Sequence, residues 1–130
     1  MINLDYLYPR TPAVIAHRGA SAAAPENTLA AFTSAAALGA DAVELDVKLS
    51  KDGAPIIMHD PTVDRTTDGR GPVADLTLAD LKSLDAGAKK GAQFATERVP
   101  TLAEVFEAVA DKIWINVELT NYTTRGDGLE

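Results

Sequence analysis

Two histidines are the first residues in this sequence that could do chemistry. His17 and His59 are the only ones in 130 residues. Each follows a short apolar run, Ala13 to Ala16 before His17 and Pro55 to Met58 before His59, and each precedes a charged residue, Arg18 or Asp60. An imidazole with its ordinary pKa of about 6.5 can take or give a proton near neutrality, so a facing pair can act as general base and general acid. One such histidine reads as an ordinary surface or core residue. Two at equivalent strand ends point to acid-base catalysis.

Carboxylates supply the second set. Glu44 and Asp46 lie two residues apart in Ala42 to Leu49, where Val43, Leu45 and Val47 take the alternate positions. The strand period of two therefore turns both acids to one side. Val117-Glu118-Leu119 repeats the pattern of Val43-Glu44-Leu45. Three acids brought together repel one another, raise each other's pKa and need a cation. Taken singly, such pairs are commonly solvated edge acids. Oxygen ligands suit Mg²⁺ or Ca²⁺ better than zinc, and with no cysteine in the chain thiolate sites and disulfides are excluded. Arg18 offers a guanidinium fork that fits phosphate. Glu26 and Asn27 are either supporting residues of the same site or part of a helix cap with Thr28.

The elements that must position these groups follow from the pattern. Ala13 to Ala16 is a buried strand ending in a glycine turn at Gly19. Asn27 or Thr28 caps a helix whose apolar face includes Leu29, Phe32 and Leu38, and Gly39 ends it at C′. Ala42 to Leu49 is the second strand, Lys51-Asp52-Gly53 a turn, and Pro55 to Met58 the third strand. Residues 60–100 are too long for a plain linker and read as an inserted functional subdomain. Within them, Thr77 starts a short helix reaching about Leu84. Thr101 and Glu104 form a capping box for a helix with Leu102, Val105, Phe106 and Val109 at helical spacing. Ile113 to Leu119 is the fourth strand. Trp114 alternates with Asn116 and Glu118 and is expected to point inward as packing.

The order is α/β and mostly parallel. Acidic residues on strands belong at the C-terminal mouth of a barrel rather than in apolar core. Four strands do not close an eight-stranded barrel. The expectation is the N-terminal portion of a larger one (residues 1–130), stabilised by the missing C-terminal half or by a second copy that covers its open edges.

Composition bounds the function. The apolar fraction of 46% supports a core, and a net charge of −7 argues against nucleic acid while leaving a small phosphate ester open. Met1 to Arg10 lacks the pattern of a signal peptide, and no run approaches the length of a membrane span. A cytoplasmic protein is expected.

Together, His17-Arg18-Gly19, Pro25-Glu26-Asn27-Thr28, Glu44-Leu45-Asp46-Val47, His59-Asp60 and Val117-Glu118-Leu119 resemble the glycerophosphodiester phosphodiesterase family in order and spacing. Leu81 to Gly87 and Val99-Pro100-Thr101-Leu102 look like that family's insertion and its exit. The resemblance implies a TIM (β/α)8 barrel, here about four parallel strands, with a small insertion after the third. It implies metal-dependent hydrolysis of glycerophosphodiesters to glycerol 3-phosphate and an alcohol. His17 and His59 would be the acid-base pair, Glu44, Asp46 and Glu118 the ligands of Mg²⁺ or Ca²⁺, and Arg18 the phosphate contact. The substrate's own 2-hydroxyl would attack, giving a cyclic phosphate that water then opens. One departure stands out: many family members carry a lysine two residues after the third acid, where this chain has Thr120. The alternatives are a related lipid phosphodiesterase acting on phosphatidylinositol or sphingomyelin, and a truncated or degenerate barrel that binds a phosphodiester or a partner without turnover.

Overall fold

The computed structural model describes residues 12–120 and 128–129. The readings of Met1 to Arg10 and of most of the tail after Thr120 fall outside these residues. The elements are β1 (Ile15–His17), α1 (Leu29–Ala37), β2 (Ala42–Leu49), β3 (Pro55–Ile57), α2 (Leu78–Ser83), α3 (Leu102–Val109) and β4 (Trp114–Leu119). Two single 3₁₀ turns, Val73–Asp75 and Ala92–Phe94, lie between β3 and α3.

One strand organises the sheet. β2 pairs in parallel with β1 over Ala42 to Glu44 and in parallel with β4 over Ala42 to Val47. β3 pairs with the end of β2 in the antiparallel sense, Val47 opposite Ile57 and Leu49 opposite Pro55. Three of the four strands are therefore the parallel strands of a partial barrel, and β3 departs from the expectation. The reason lies in the connection. A parallel pair needs a crossover of a dozen or more residues, whereas Ser50 to Ala54 closes as a tight hairpin turn, with the Ser50 amide donating to the Ala54 carbonyl at 3.0 Å.

The alternation of β2 builds the core on one side. Val43, Leu45 and Val47 are buried with Phe32 and Ala35 of α1, Val105 and Val109 of α3, and Ile57 and Ile113. Each large side chain so buried contributes about 1.5–3 kcal/mol of transfer free energy. Thr28, not Asn27, caps α1, accepting from the Ala31 amide, and Gly39 follows the helix at φ +80°. Capping boxes hold the starts of α2 (Thr77, Asp80) and α3 (Thr101, Glu104), worth about 1 kcal/mol for each cap.

Several expected core positions stand differently. The strand read as buried at Ala13 to Ala16 has Val14 and Ile15 exposed, because among the described residues only β2 pairs with β1. Leu38, in the C-cap turn past the last helical residue of α1, is exposed, and so is Phe106, which lies on the outer side of α3 from Val105 and Val109. Trp114 shares the face of Glu118 as expected, but that face of β4 is open among the described residues and the indole is 47% exposed.

A second apolar cluster lies beyond the hairpin. Ile56 and Met58 pack with Val63, Val73, Leu81, Ala86 and Val99. Adjacent side chains of β3 point to opposite faces, so Ile57 joins the first core and Ile56 the second.

Candidate active site

The topology brings the two histidines toward each other. β4 takes one edge of β2 from Ala42 to Val47, so β1 and β3 must share the other. β1 climbs that edge and ends with His17 beside Glu44. β3 descends it, and after Ile57 the Met58 amide donates to the Asp46 carbonyl at 2.9 Å, leaving His59 as the next residue. His59 thus reaches the site through a returning hairpin, not through a third parallel strand.

The acids meet on the other face of β2. Glu44, Asp46 and Glu118 each offer an oxygen within 4.8 Å of the others, and Asp46 and Glu118 are directly paired across β2 and β4. Glu44 and Asp46 are buried, while Glu118 is exposed. Burial, and next the charge of Asp46, push the Glu44 carboxyl above its ordinary pKa; the Arg18 amide and His17 pull against this, and Glu118 adds to it. Glu44 Oε2 accepts from the Arg18 amide at 3.1 Å and lies 3.7 Å from His17 Nε2. Its other oxygen, Oε1, is buried and accepts no hydrogen bond. A buried acceptor left bare is costly, and a hard divalent cation shared by three carboxylates would satisfy it. The donor set fits such an ion.

The residues around this cluster form one connected polar network. Arg18, at φ +58°, gives Nη1 to Glu26 Oε1 at 3.0 Å and places Nε 3.5 Å from Asp46 Oδ2, within ion-pair range but without hydrogen-bond geometry. Its fork therefore faces carboxylates. Asn27, at φ +57°, turns its side chain back so that Nδ2 donates to Asp46 Oδ2 at 2.8 Å. With Thr28 acting as the cap, Asn27 is free to face Asp46 and Glu26 to face the two arginines. The turn that sets this up depends on Gly19, at φ +79°, where an added Cβ would lie 2.7 Å from the Ala31 backbone.

Sequence reasoning missed Arg65. It donates through Nη1 and Nη2 to Glu26 at 2.8 and 2.7 Å, and through Nε and Nη2 to Asp60 at 2.7 and 3.0 Å. Asp60 in turn meets His59 Nδ1 at 2.8 Å. These bonds hold Asp60 well below the usual carboxylate range, chiefly through Arg65, and Arg65 likewise lowers Glu26. The only signal in the sequence was an arginine five residues after His59-Asp60, in a stretch that reads as loop.

Comparisons with known proteins identify the family. Residues 17–129 match the Glycerophosphoryl diester phosphodiesterase family. The chain belongs to that family. A glycerophosphodiester phosphodiesterase of Caldanaerobacter subterraneus is 55% identical over 118 residues, covering 90% of this chain and 49% of the relative. Human glycerophosphodiester phosphodiesterase 1 is 50% identical over 104 residues, 78% of this chain and 31% of that one. Among solved structures, an Oleispira antarctica phosphodiesterase in complex with the product sn-glycerol-3-phosphate superposes with a TM-score of 0.81 at 50% identity, covering 83% of this chain and 44% of that chain. The glycerophosphodiester phosphodiesterase of Agrobacterium tumefaciens gives 0.80 at 41% identity, covering 82% and 46%. This member of the family spans about half the length of the first relatives it matches.

Proposed function

We propose that the protein hydrolyses glycerophosphodiesters to glycerol 3-phosphate and an alcohol. The observation that carries this reading is the gathering of Glu44, Asp46 and Glu118, with a bare buried oxygen on Glu44, at the level of β2 where the strands leading to His17 and His59 end. Family membership and the likeness to a phosphodiesterase solved with sn-glycerol-3-phosphate support the substrate class.

In this reading Glu44, Asp46 and Glu118 hold Mg²⁺ or Ca²⁺. The bound ion supplies positive charge to the phosphoryl oxygens and lowers the pKa of a nearby hydroxyl. One histidine removes the proton of the attacking 2-hydroxyl, and the other protonates the departing alcohol. Asp60 accepts from His59 Nδ1–H, which leaves Nε2 as the nitrogen that exchanges a proton with substrate. Arg18 binds phosphate from its place between Glu26 and Asp46. When water opens the cyclic phosphate, the two imidazoles exchange roles.

Residues 60–100 are an insertion of the barrel domain and the rest of the chain its N-terminal portion, completed by the other half of the barrel or by a second copy. Among the described residues no helix is long and apolar enough to cross a membrane. We place the protein in the cytoplasm, acting on small glycerophosphodiesters of lipid breakdown.

The test is release of glycerol 3-phosphate from glycerophosphocholine by the purified protein, with and without chelator, and with a lysolipid as the competing substrate. Release abolished by chelator and by His17→Ala or His59→Ala supports the reading. Binding of the diester without release would leave a phosphodiester-binding protein in its place. Full activity in either histidine variant would remove that residue from the mechanism.

A further inference from the structure

Beside the site lies a cleft of about 170 Å³ lined by three cations, Arg65, Lys89 and Lys90. Ser21 and Pro25 close it from the loop between β1 and α1, and Thr66 and Ala86 from the stretch after His59. Glu26, Thr66 and Ala86 also line the narrow recess at His59, so the two spaces are neighbours. Glu44, Asp46 and Glu118 do not line the cleft.

Its charge is uneven. Glu26 is the one acid in the lining, and Arg18 and Arg65 already occupy both its oxygens. The lysines differ. Lys89 Nζ donates to the Asp64 carbonyl, and Lys90 Nζ to the Ser21 carbonyl at 2.8 Å. Both partners are neutral, and among the described residues neither ammonium pairs with a carboxylate. An ammonium has three donors, so each lysine keeps donors and charge for something else.

The turn that bears them is anchored. Asp85 Oδ1 accepts from the Gly87 and Ala88 amides at 2.8 Å each, and the Lys90 amide donates to the Gly87 carbonyl at 2.9 Å. Gly87 itself is pressed against Phe94, whose carbonyl oxygen would lie 1.9 Å from an added Cβ. Two like charges are thus fixed at one small opening. That arrangement is repulsive when the cleft is empty and favourable once an anion enters it.

A glycerophosphodiester has two arms beyond its phosphate. The glycerol arm is uncharged and gives such a cleft nothing to pair with. Resting on the phosphodiesterase reading above, we infer that the cleft is a subsite for the leaving alcohol, and that Lys89 and Lys90 select alcohols bearing a second anionic group, a carboxylate or a phosphate.

Two matched pairs of diesters test this. Glycerophosphoserine differs from glycerophosphoethanolamine by a carboxylate, and glycerophosphoinositol 4-phosphate from glycerophosphoinositol by a phosphate. Release of glycerol 3-phosphate from each is measured in saturating Mg²⁺. Wild type is expected to show a kcat/KM roughly tenfold higher for the anionic member of at least one pair, the size of a charge-assisted contact, and the pair that shows it identifies the anion. In Lys89→Gln/Lys90→Gln that ratio should fall close to one, chiefly through KM. A ratio taken within one variant cancels any general loss of folding or activity. Lys112→Gln removes an exposed charge near the start of β4, away from the site, and should keep the wild-type ratio. Equal kcat/KM within both pairs overturns the inference. So does a preference that survives in the double lysine variant, or one lost equally in Lys112→Gln. Absence of release from every diester overturns the proposed function and the inference with it, whereas release without preference overturns the inference alone.

Discussion

Arg65 and Asp60 are joined side by side, with Nε and Nη2 of the guanidinium on the two carboxylate oxygens at 2.7 and 3.0 Å. The same guanidinium grips Glu26 with its remaining donors. Asp60 cannot rotate without breaking this clamp, and His59 Nδ1 is bonded to Asp60. Lysine lacks the planar fork that satisfies two carboxylates at once. Arg65→Lys is therefore expected to lower kcat about 10- to 100-fold while metal affinity stays near wild type. Steady-state kinetics with metal-binding calorimetry checks this; an unchanged kcat would show that Asp60 orients His59 without help.

The clamp also sets an acid limit on stability. Glu26 and Asp60 are held below their ordinary values of 4.5 and 3.8, first by the hydrogen bonds of Arg65. A carboxyl whose folded pKa is depressed stabilises the fold above its unfolded pKa and loses that contribution as pH falls through the folded one. Unfolding free energy is expected to hold steady down to about the ordinary carboxylate range and to drop below it. Arg65→Ala should lower stability at neutral pH and flatten that acid limb. Urea titrations at a series of pH values measure both, and an acid limb of the same slope in the variant would place its origin elsewhere.

Glu44 has the opposite sign. Burial and the neighbouring Asp46 raise its pKa, so its ionised form costs the metal-free fold stability. Glu44→Gln keeps an oxygen for the Arg18 amide and removes the charge. In chelator at neutral pH the variant is expected to melt higher than wild type, with the gap closing in acid as wild-type Glu44 takes up a proton. In saturating Mg²⁺ or Ca²⁺ the order should reverse, because only wild type keeps the charged ligand and the full gain from binding. Parallel thermal melts decide it. The same order with and without metal would remove Glu44 from the ligand set.

Two glycines with nearly equal φ should behave differently. Gly19 and Gly53 sit at +79° and +80°, but an added Cβ meets the Ala31 backbone at Gly19 and open space at Gly53. Gly53→Ala is expected to cost only the backbone term, about 1–2 kcal/mol. Gly19→Ala adds an overpacking term of about 1–3 kcal/mol and displaces the turn that carries Arg18. Denaturant melts of both variants give the comparison, and equal losses would contradict the close approach.

Much of this was legible because it depends on local rules. Alternation along β2 separates Val43, Leu45 and Val47 from Glu44 and Asp46, and the structure divides them the same way. Thr101 and Glu104 announce their helix through a hydrogen-bond pattern four residues long. The antiparallel sense of β3 was also encoded, in a turn too short for a crossover, but barrel logic outweighed it. Arg65 was not legible because its partners are 5 and 39 residues away and nothing local marks the guanidinium as shared.

β3 has no side to spare: Ile57 is committed to one apolar cluster and Ile56, with Met58 just beyond the strand, to the other. The stretch from Asp60 to Pro100 is consequently a wall of the site and not a flap over it. Swinging it outward would tear Ile56 and Met58 from their neighbours and drag the adjoining imidazole with them. On the proposed reading, substrate would enter past this packed flank, and shortening the stretch is expected to unseat His59 before it changes which alcohol leaves.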